Sequence, residues 1–135
     1  MSYPVYLGLT EKDFELIEAA KYTFNQLFLP GVHEVAAALR TTSGEGFCGI
    51  HIEADVGFAD VCGEVAAICH MVAHGHRDLD TIVALRGNSK QTYRILAPCG
   101  RCREVIKDFS RNAWVIVGDM EKPQKMKILD LLPLR

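Results

Sequence analysis

The chain has 135 residues, of which 49 % are hydrophobic and 24 % are charged, and its formal net charge is −2. These values are typical of a soluble globular protein with a single domain, here residues 1–135. The absence of a basic stripe argues against tight binding to long nucleic acid, and no apolar run approaches the ~20 residues that span a bilayer, so no membrane partner is expected.

The first predicted element is a helix. Thr10 is a candidate N-cap, and Asp13 lies three residues later, where it completes a capping box. A mostly apolar face at helical spacing follows, formed by Phe14, Ile17, Ala20, Lys21 and Phe24.

Two short apolar runs, residues 33–39 and 47–53, flank a Gly-rich segment at 42–46 and predict a β-hairpin. Residues 62–73 predict a helix with almost no polar face, which we expect to be buried.

The rest of the chain predicts strands at 81–85, 93–96 and 114–117, an amphipathic helix at 99–109 and a short final helix at 128–132. The segment 122–127 has the composition of a solvated turn. The order α-β-β-α-β-β-α-β-α predicts helices packed on a mixed sheet of about five strands.

The five cysteines are Cys48, Cys62, Cys69, Cys99 and Cys102. A secreted disulfide framework usually has an even number, so free, buried or metal-bound thiols fit better. The first residues also lack a basic segment followed by an apolar one. We therefore expect a cytoplasmic protein.

Cys99 and Cys102 lie three residues apart, directly after Pro98, in the stretch ILAPCGRC. Proline suits the start of a helix, where thiols at i and i+3 face the same way and the thiolate form is favoured. Alone, this pair fits a zinc site, a redox pair or ordinary core residues.

In the stretch VCGEVAAI, Cys62 stands at the start of the apolar helix and Glu64 follows two residues later. A buried carboxylate is costly unless it is paired, protonated or near a metal. An equally simple interpretation is that Glu64 stabilises the first turn through the helix dipole.

Together the two stretches are more specific. Three thiolates from two helix N-termini could hold Zn²⁺ tetrahedrally and leave the fourth position open, as catalytic sites do. Cys-x-Glu followed by Pro-Cys-x-x-Cys is the all-cysteine form of the zinc deaminase signature.

The sequence resembles the small, free-nucleoside branch of the cytidine deaminase superfamily. GIHIEADVGFADVCGE is similar to the segment that joins the substrate strand to the first zinc helix, and ILAPCGRCREVIKDF is similar to the second zinc helix. The stretch LAPCGRCR, and the stretch LLP near the C-terminus, resemble the sequences of blasticidin-S deaminases. The resemblance implies a three-layer α/β/α fold of the cytidine deaminase type.

The resemblance also implies roles. Cys62, Cys99 and Cys102 would be the zinc ligands, and Glu64 would move protons. The implied reaction is hydrolytic deamination of a free cytosine-type nucleoside to the uracil form plus ammonia. The implied assembly is a homotetramer.

The implied substrate contacts are Glu53 with the ribose, the backbone N–H of Gly63 with the pyrimidine carbonyl, and the carbonyl of Ala97 with the departing amino group. His33 falls near the family's aromatic position that packs on the pyrimidine. Cytidine deaminases typically have Asn where this chain has His51, whereas blasticidin-S deaminases tend to keep that Asn and lose the acid. The chain matches neither pattern, so we expect unchanged chemistry in an altered substrate pocket.

Three alternatives stay open. One is a deaminase of the blasticidin-S type, or of another aminopyrimidine or aminoheterocycle. A polynucleotide deaminase is disfavoured by the cysteine in the first ligand position and by the absence of an electrostatic track. A non-catalytic, zinc-stabilised binding protein would not need Glu64.

Overall fold

The computed structural model describes residues 4–133, which form three α-helices and seven β-strands. The helices are α1 (Glu11–Leu27), α2 (Gly63–Ala73) and α3 (Gly100–Phe109). The strands are β1 (Leu7–Gly8), β2 (Val35–Thr41), β3 (Gly46–Ile50), β4 (Leu79–Arg86), β5 (Arg94–Leu96), β6 (Trp114–Gly118) and β7 (Pro123–Lys127). Short 3₁₀ helices lie at Gly57–Ala59 and Ile128–Leu131, the second where a final short helix is predicted.

All seven strands belong to one mixed sheet with the order β1-β7-β6-β4-β2-β3. The pairing of β4 with β6 is parallel, and every other pairing in this sheet is antiparallel. Strand β2 pairs along the whole of β4. The opposite edge of β4 is therefore shared by β6 at its start and β5 at its end. Strand β5 begins beside Arg86, the last residue of β4, and ends beside Ala84, from where the chain continues to α3.

The helices cover both faces of the sheet. Val83 and Leu85 of β4 belong to the apolar cluster that includes Leu16, Ile17 and Ala20 of α1. Ile82 and Ala84, which alternate with them, belong to the cluster on the side of α2 and α3. The predicted three-layer α/β/α fold is confirmed. None of the helices in residues 4–133 has the length and hydropathy needed to cross a lipid bilayer.

The sheet is wider than the predicted five strands. The segment expected to be a solvated turn is strand β7, which pairs antiparallel with β6. Met126 is the one buried residue of this strand, so the strand shows no alternation of apolar and polar side chains. The lysines on either side of Met126 make specific contacts. Lys125 pairs with Asp13, and Lys127 lies over the ring of Trp114. The two-residue β1 is too short to show a period in the sequence.

The predicted capping box of α1 is confirmed. The N–H of Asp13 donates to the Thr10 hydroxyl at 3.3 Å, and the N–H of Thr10 donates to the Asp13 carboxylate at 3.0 Å. The predicted apolar face is wrong at Phe14, which is 49 % exposed. Asp13 occupies the buried position instead, because Arg40 and Lys125 each pair with its carboxylate at 2.9 Å.

The expectation that α2 is buried all round is wrong for the single chain. The helix packs on the sheet through Ala67, Ile68 and Met71, all buried. The side chains of Cys69 and Val72 face away from this layer and are exposed. A helix in an outer layer has a free face unless another surface covers it, whatever its composition.

Candidate active site

Two glycines allow the N-terminus of α2 to lie directly on the sheet. A side chain at Gly49 of β3 would place its Cβ 2.2 Å from the backbone nitrogen of Ala67 and 2.7 Å from the carbonyl oxygen of Gly63. A Cβ at Gly63 would lie 3.2 Å from the carbonyl oxygen of Val35. The close packing of β2 and β3 against α2 therefore fixes the position of the residues that begin this helix.

The three predicted ligand thiols come together between two helix N-termini. Cys62 is the N-cap residue of α2 and Cys99 is the N-cap residue of α3, and neither side chain caps its helix by a hydrogen bond. The sulfur atoms of Cys62, Cys99 and Cys102 lie within 4.8 Å of one another, and those of Cys62 and Cys99 are 3.7 Å apart.

This arrangement fits Zn²⁺. Tetrahedral zinc with Zn–S bonds of about 2.3 Å separates its ligand sulfurs by about 3.8 Å, close to the Cys62–Cys99 distance. Burial raises the pKa of the Cys102 thiol, and the nearby charge of Glu64 raises it further. Burial also acts to raise the pKa of Cys99, but hydrogen bonds from Cys102 and Cys62 bring it below its usual value. A dication would stabilise all three thiolates in this buried place.

Glu64 lies in the first turn of α2 and is only 6 % exposed. Burial raises the pKa of its carboxyl, with a smaller opposing effect from its own backbone N–H. Burial thus makes this carboxylate a stronger proton acceptor, which suits a group that takes up a proton and gives it back during a reaction.

A cavity of about 140 Å³ opens beside these residues. Its walls are Val35, His51, Cys62, Gly63, Glu64, Leu96, Ala97 and Cys99. The predicted substrate residues His51, Gly63 and Ala97 therefore share one cavity with Glu64 and two of the thiols. Val35 and Leu96 were not singled out from the sequence, where they look like ordinary apolar strand residues.

Two other predicted substrate residues lie outside these walls. Glu53 is exposed, and its backbone N–H donates to the carbonyl oxygen of Val32 at 3.0 Å. His33 holds the segment that follows β3, because its Nδ1 lies 2.9 Å from the carbonyl oxygen of His51 and donates to it. Both residues are thus next to His51 without lining the cavity.

The hydrogen bonds around His51 define which of its ring nitrogens carries the proton. The backbone N–H of Glu34 donates to Nδ1 of His51 at 3.4 Å, so this nitrogen is an acceptor. In the neutral imidazole the proton then resides on Nε2. His51 therefore presents a hydrogen-bond donor where an asparagine could offer both a donor and an acceptor.

Two arginines on α3 support the thiol cluster. Nη2 of Arg101 lies 3.5 Å from the sulfur of Cys62 and donates to the carbonyl oxygen of Asp60 at 3.0 Å. Its hydrogen bond to Cys62 raises the pKa of this guanidinium. Arg103 donates to the carbonyl oxygens of Pro98 at 2.7 Å and Leu131 at 3.1 Å, and so ties the start of α3 to the C-terminal 3₁₀ helix.

Comparison with known proteins identifies the family of the chain. The chain is 37 % identical over 132 residues to a blasticidin-S deaminase of Bacillus cereus, covering 95 % of this chain and 94 % of the relative. The chain belongs to the small branch of the cytidine deaminase superfamily. Within that branch, it is also 29 % identical over 118 residues to a probable cytidine deaminase of Dictyostelium discoideum, covering 87 % of this chain and 78 % of the relative. No protein-family model matches the chain.

Solved structures of the superfamily share the fold. The cytidine deaminase of Burkholderia pseudomallei superposes with a TM-score of 0.76 and 28 % identity over 93 % of this chain and 98 % of that one. The cytidine deaminase of Bacillus anthracis gives a TM-score of 0.77 at 19 % identity over 90 % of this chain and 87 % of that one, a likeness of fold alone.

Proposed function

We propose that this protein is a zinc-dependent hydrolytic deaminase that converts a free cytosine-type nucleoside to its uracil form and ammonia. The observation that carries the proposal is a buried carboxyl, Glu64, in the same small cavity as the sulfurs of Cys62 and Cys99. The names of its relatives as deaminases support the same reaction class.

Cys62, Cys99 and Cys102 would hold the zinc, which when bound supplies a hydroxide-like nucleophile near neutral pH. Glu64 takes a proton from the water and gives it to the ring nitrogen next to the carbon under attack. It then moves the remaining water proton to the amine. The carbon–nitrogen bond breaks, ammonia leaves, and Glu64 is regenerated.

The cavity walls would orient the ring. The N–H of Gly63 would donate to the pyrimidine carbonyl, and the carbonyl of Ala97 would accept from the amino group. Nε2–H of His51 would donate to an oxygen of the substrate. Glu53 and His33, which adjoin His51, are candidates for contacts with the sugar, outside the cavity that receives the base.

The direct test is ammonia release from cytidine by the purified, zinc-loaded protein, with Glu64→Gln as the matched variant. We expect release by the native protein, and none by the variant although it folds and retains zinc. Equal release by both proteins would refute the assignment of Glu64. No release by the native protein with any cytosine nucleoside or with blasticidin S would refute the proposed reaction and favour a non-catalytic zinc-stabilised binding protein.

A second candidate substrate is blasticidin S, favoured by the 37 % identity to the Bacillus cereus relative of that name. It carries the same cytosine amine, so the chemistry above applies unchanged. The ratio of kcat/KM for blasticidin S and cytidine separates the two candidates.

We further propose that the chain forms a homo-oligomer, a tetramer in its superfamily's manner, and acts in the cytoplasm. The exposed Val72 on α2 and the apolar residues Ile52, Val56 and Phe58 after β3, the last 87 % exposed, support self-association. Light scattering of the purified protein tests the assembly, and a monomer at micromolar concentration would refute it.

The proposal of a cytoplasmic location is supported by the free cysteines, which fit a reducing compartment.

A further inference from the structure

A second, larger cavity lies at the end of the sheet beside the candidate active site. Its volume is about 430 Å³, and we call it the arginine cavity. Its lining residues are Glu34, Arg86, Gly87, Asn88, Thr92, Tyr93 and Arg94. None of them was singled out from the sequence, because the two arginines come from different strands.

The register of the sheet connects the two cavities. Arg86 of β4 pairs directly with Arg94 of β5 and, on its other side, with Val35 of β2. Directly paired residues and residues two apart on a strand share one face of a sheet. Val35, Arg86, Arg94 and Leu96 therefore share the face that carries the active site. Val35 and Leu96 line the active-site cavity. Arg94 lies two residues, about 7 Å along β5, from Leu96, and Arg86 lies directly beside Val35 on the neighbouring strand.

The acceptor atoms of the arginine cavity are already occupied. One carboxylate oxygen of Glu34 accepts from Arg86 at 2.9 Å, and the other accepts from the N–H of Gly31 at 3.2 Å. The side-chain oxygen of Asn88 accepts from the N–H groups of Lys90 at 2.9 Å and Thr92 at 3.2 Å. No carboxylate in this lining is left to bind a cation.

Two hydrogen-bond donor groups of this lining, in contrast, are not used within the described part of the chain. Arg94 is exposed and forms no ion pair or side-chain hydrogen bond with any residue from 4 to 133. The side-chain oxygen of Asn88 accepts two hydrogen bonds, whereas its amide nitrogen donates none to any residue from 4 to 133. Arg86 and Arg94 are directly opposite each other on neighbouring strands, and Glu34 neutralises only one of their two positive charges, so an anion would offset the charge that remains.

The lining is held in a fixed shape. The ring of Tyr93 packs edge-on against Phe24, and its hydroxyl donates to Asn25 of α1. A Cβ at Gly87 would lie 2.8 Å from the ring of Phe24, so only glycine allows the chain to pass this closely. A preorganised set of donors binds an anion with less loss of conformational entropy than a flexible one.

We propose that the arginine cavity binds an anionic group, a carboxylate or a phosphate, carried on the sugar side of a substrate whose aminopyrimidine ring occupies the active-site cavity. This inference rests on the proposed deaminase function and narrows its substrate class. Arg94 is the principal contact, since Arg86 is already paired with Glu34.

The test compares kcat/KM for cytidine, cytidine 5′-monophosphate and the cytidine analogue whose 5′-carbon is a carboxylate. The two anionic compounds distinguish a phosphate from a carboxylate ligand. In the native protein at least one of them is expected to exceed cytidine. Arg94→Ala should lower that anionic-to-neutral ratio by about tenfold or more, since hydrogen bonds to charged groups contribute this much. Arg111→Ala, which removes an exposed arginine after α3, is the control and should leave the ratio unchanged.

A second readout does not depend on turnover. Inorganic phosphate and acetate are titrated into the zinc-loaded protein while backbone amide resonances are recorded by NMR. We expect shifts concentrated in residues 86–94 that Arg94→Ala abolishes. If the protein turns over cytidine but Arg94→Ala leaves the ratio of kcat/KM for anionic and neutral substrates unchanged, the inference is overturned and the deaminase proposal stands. Anion binding at residues 86–94 without turnover of any nucleoside would support the anion site and refute the deaminase proposal. Absence of anion-dependent shifts in the native protein would count against the site.

Discussion

The buried charge of Asp13 provides a sharp test of the packing between α1 and the sheet. Burial by itself would raise the pKa of this carboxyl. Hydrogen bonds from the N–H of Thr10 and from Lys125 and Arg40 outweigh that effect and lower the pKa from 3.8 to about 2. A carboxyl with a lowered pKa in the folded state stabilises that state when it is ionised.

The size of the contribution follows from the two pKa values. A difference of one pKa unit corresponds to about 1.4 kcal/mol, so ionised Asp13 contributes about 2 kcal/mol to the free energy of unfolding at neutral pH. Asp13→Asn should therefore lower that free energy by about 2 kcal/mol at pH 7. The contribution is complete above pH 4 to 5 and declines as the pH falls from 3.8 towards 2, because in this range the carboxyl takes up a proton in the unfolded chain before it does so in the native protein.

The assay is urea unfolding of the native protein and the variant between pH 7 and pH 3. The difference between them should shrink by about half at pH 3. Thr10→Ala is the control, because it removes the hydroxyl of the same capping box without removing a charge. It should lower the free energy of unfolding by about 1 kcal/mol at pH 7. Glu18→Gln removes an exposed charge on the same helix and should change little. A loss for Asp13→Asn that is below about 0.5 kcal/mol, or that stays constant over this pH range, would refute the reasoning.

Three further predictions concern the site. Gly49→Ala should lower the free energy of unfolding by about 2 kcal/mol or more and reduce turnover, because its Cβ would overlap the backbone of α2. The control is Gly57→Ala, whose Cβ would meet nothing within 4 Å and which should match the native protein in thermal unfolding. Cys102→Ser should abolish retention of one zinc per chain, measured by atomic emission, while Cys69→Ser, at an exposed position, should retain it; equal zinc contents would contradict the ligand assignment. His51→Asn, which together with Glu53 recreates the pair of Asn and acid typical of cytidine deaminases, should raise kcat/KM for cytidine relative to blasticidin S. An unchanged order of substrates would remove His51 from the specificity argument.

Features set by residues close together in the chain were predictable from the sequence. The capping box depends on Thr10 and Asp13, three residues apart, and the hairpin of β2 and β3 depends on one short Gly-rich turn. The zinc-site signature is also local, since Cys62 and Glu64 begin one helix and Cys99 and Cys102 begin another. Backbone hydrogen bonding and helix spacing act over a few residues, so such patterns can be recognised without knowing the fold.

Features that depend on contacts between distant segments could not be predicted in this way. Phe14 is exposed because Arg40 and Lys125, from β2 and β7, hold Asp13 in the buried position. Strand β7 is hidden in the sequence because it is stabilised by its pairing with β6 more than by its own apolar side chains.

The two cavities also show the difference between local patterns and contacts of distant segments. Nothing in the sequence indicates that Val35 and Leu96 enclose the cavity of Glu64, or that Arg86 and Arg94 face each other beside it. The sequence by itself was enough to predict the candidate reacting groups, because each stands in the first turn or at the N-cap of its own helix. The tertiary structure decided which residues line the two cavities, because strand register brings together side chains that the chain keeps far apart.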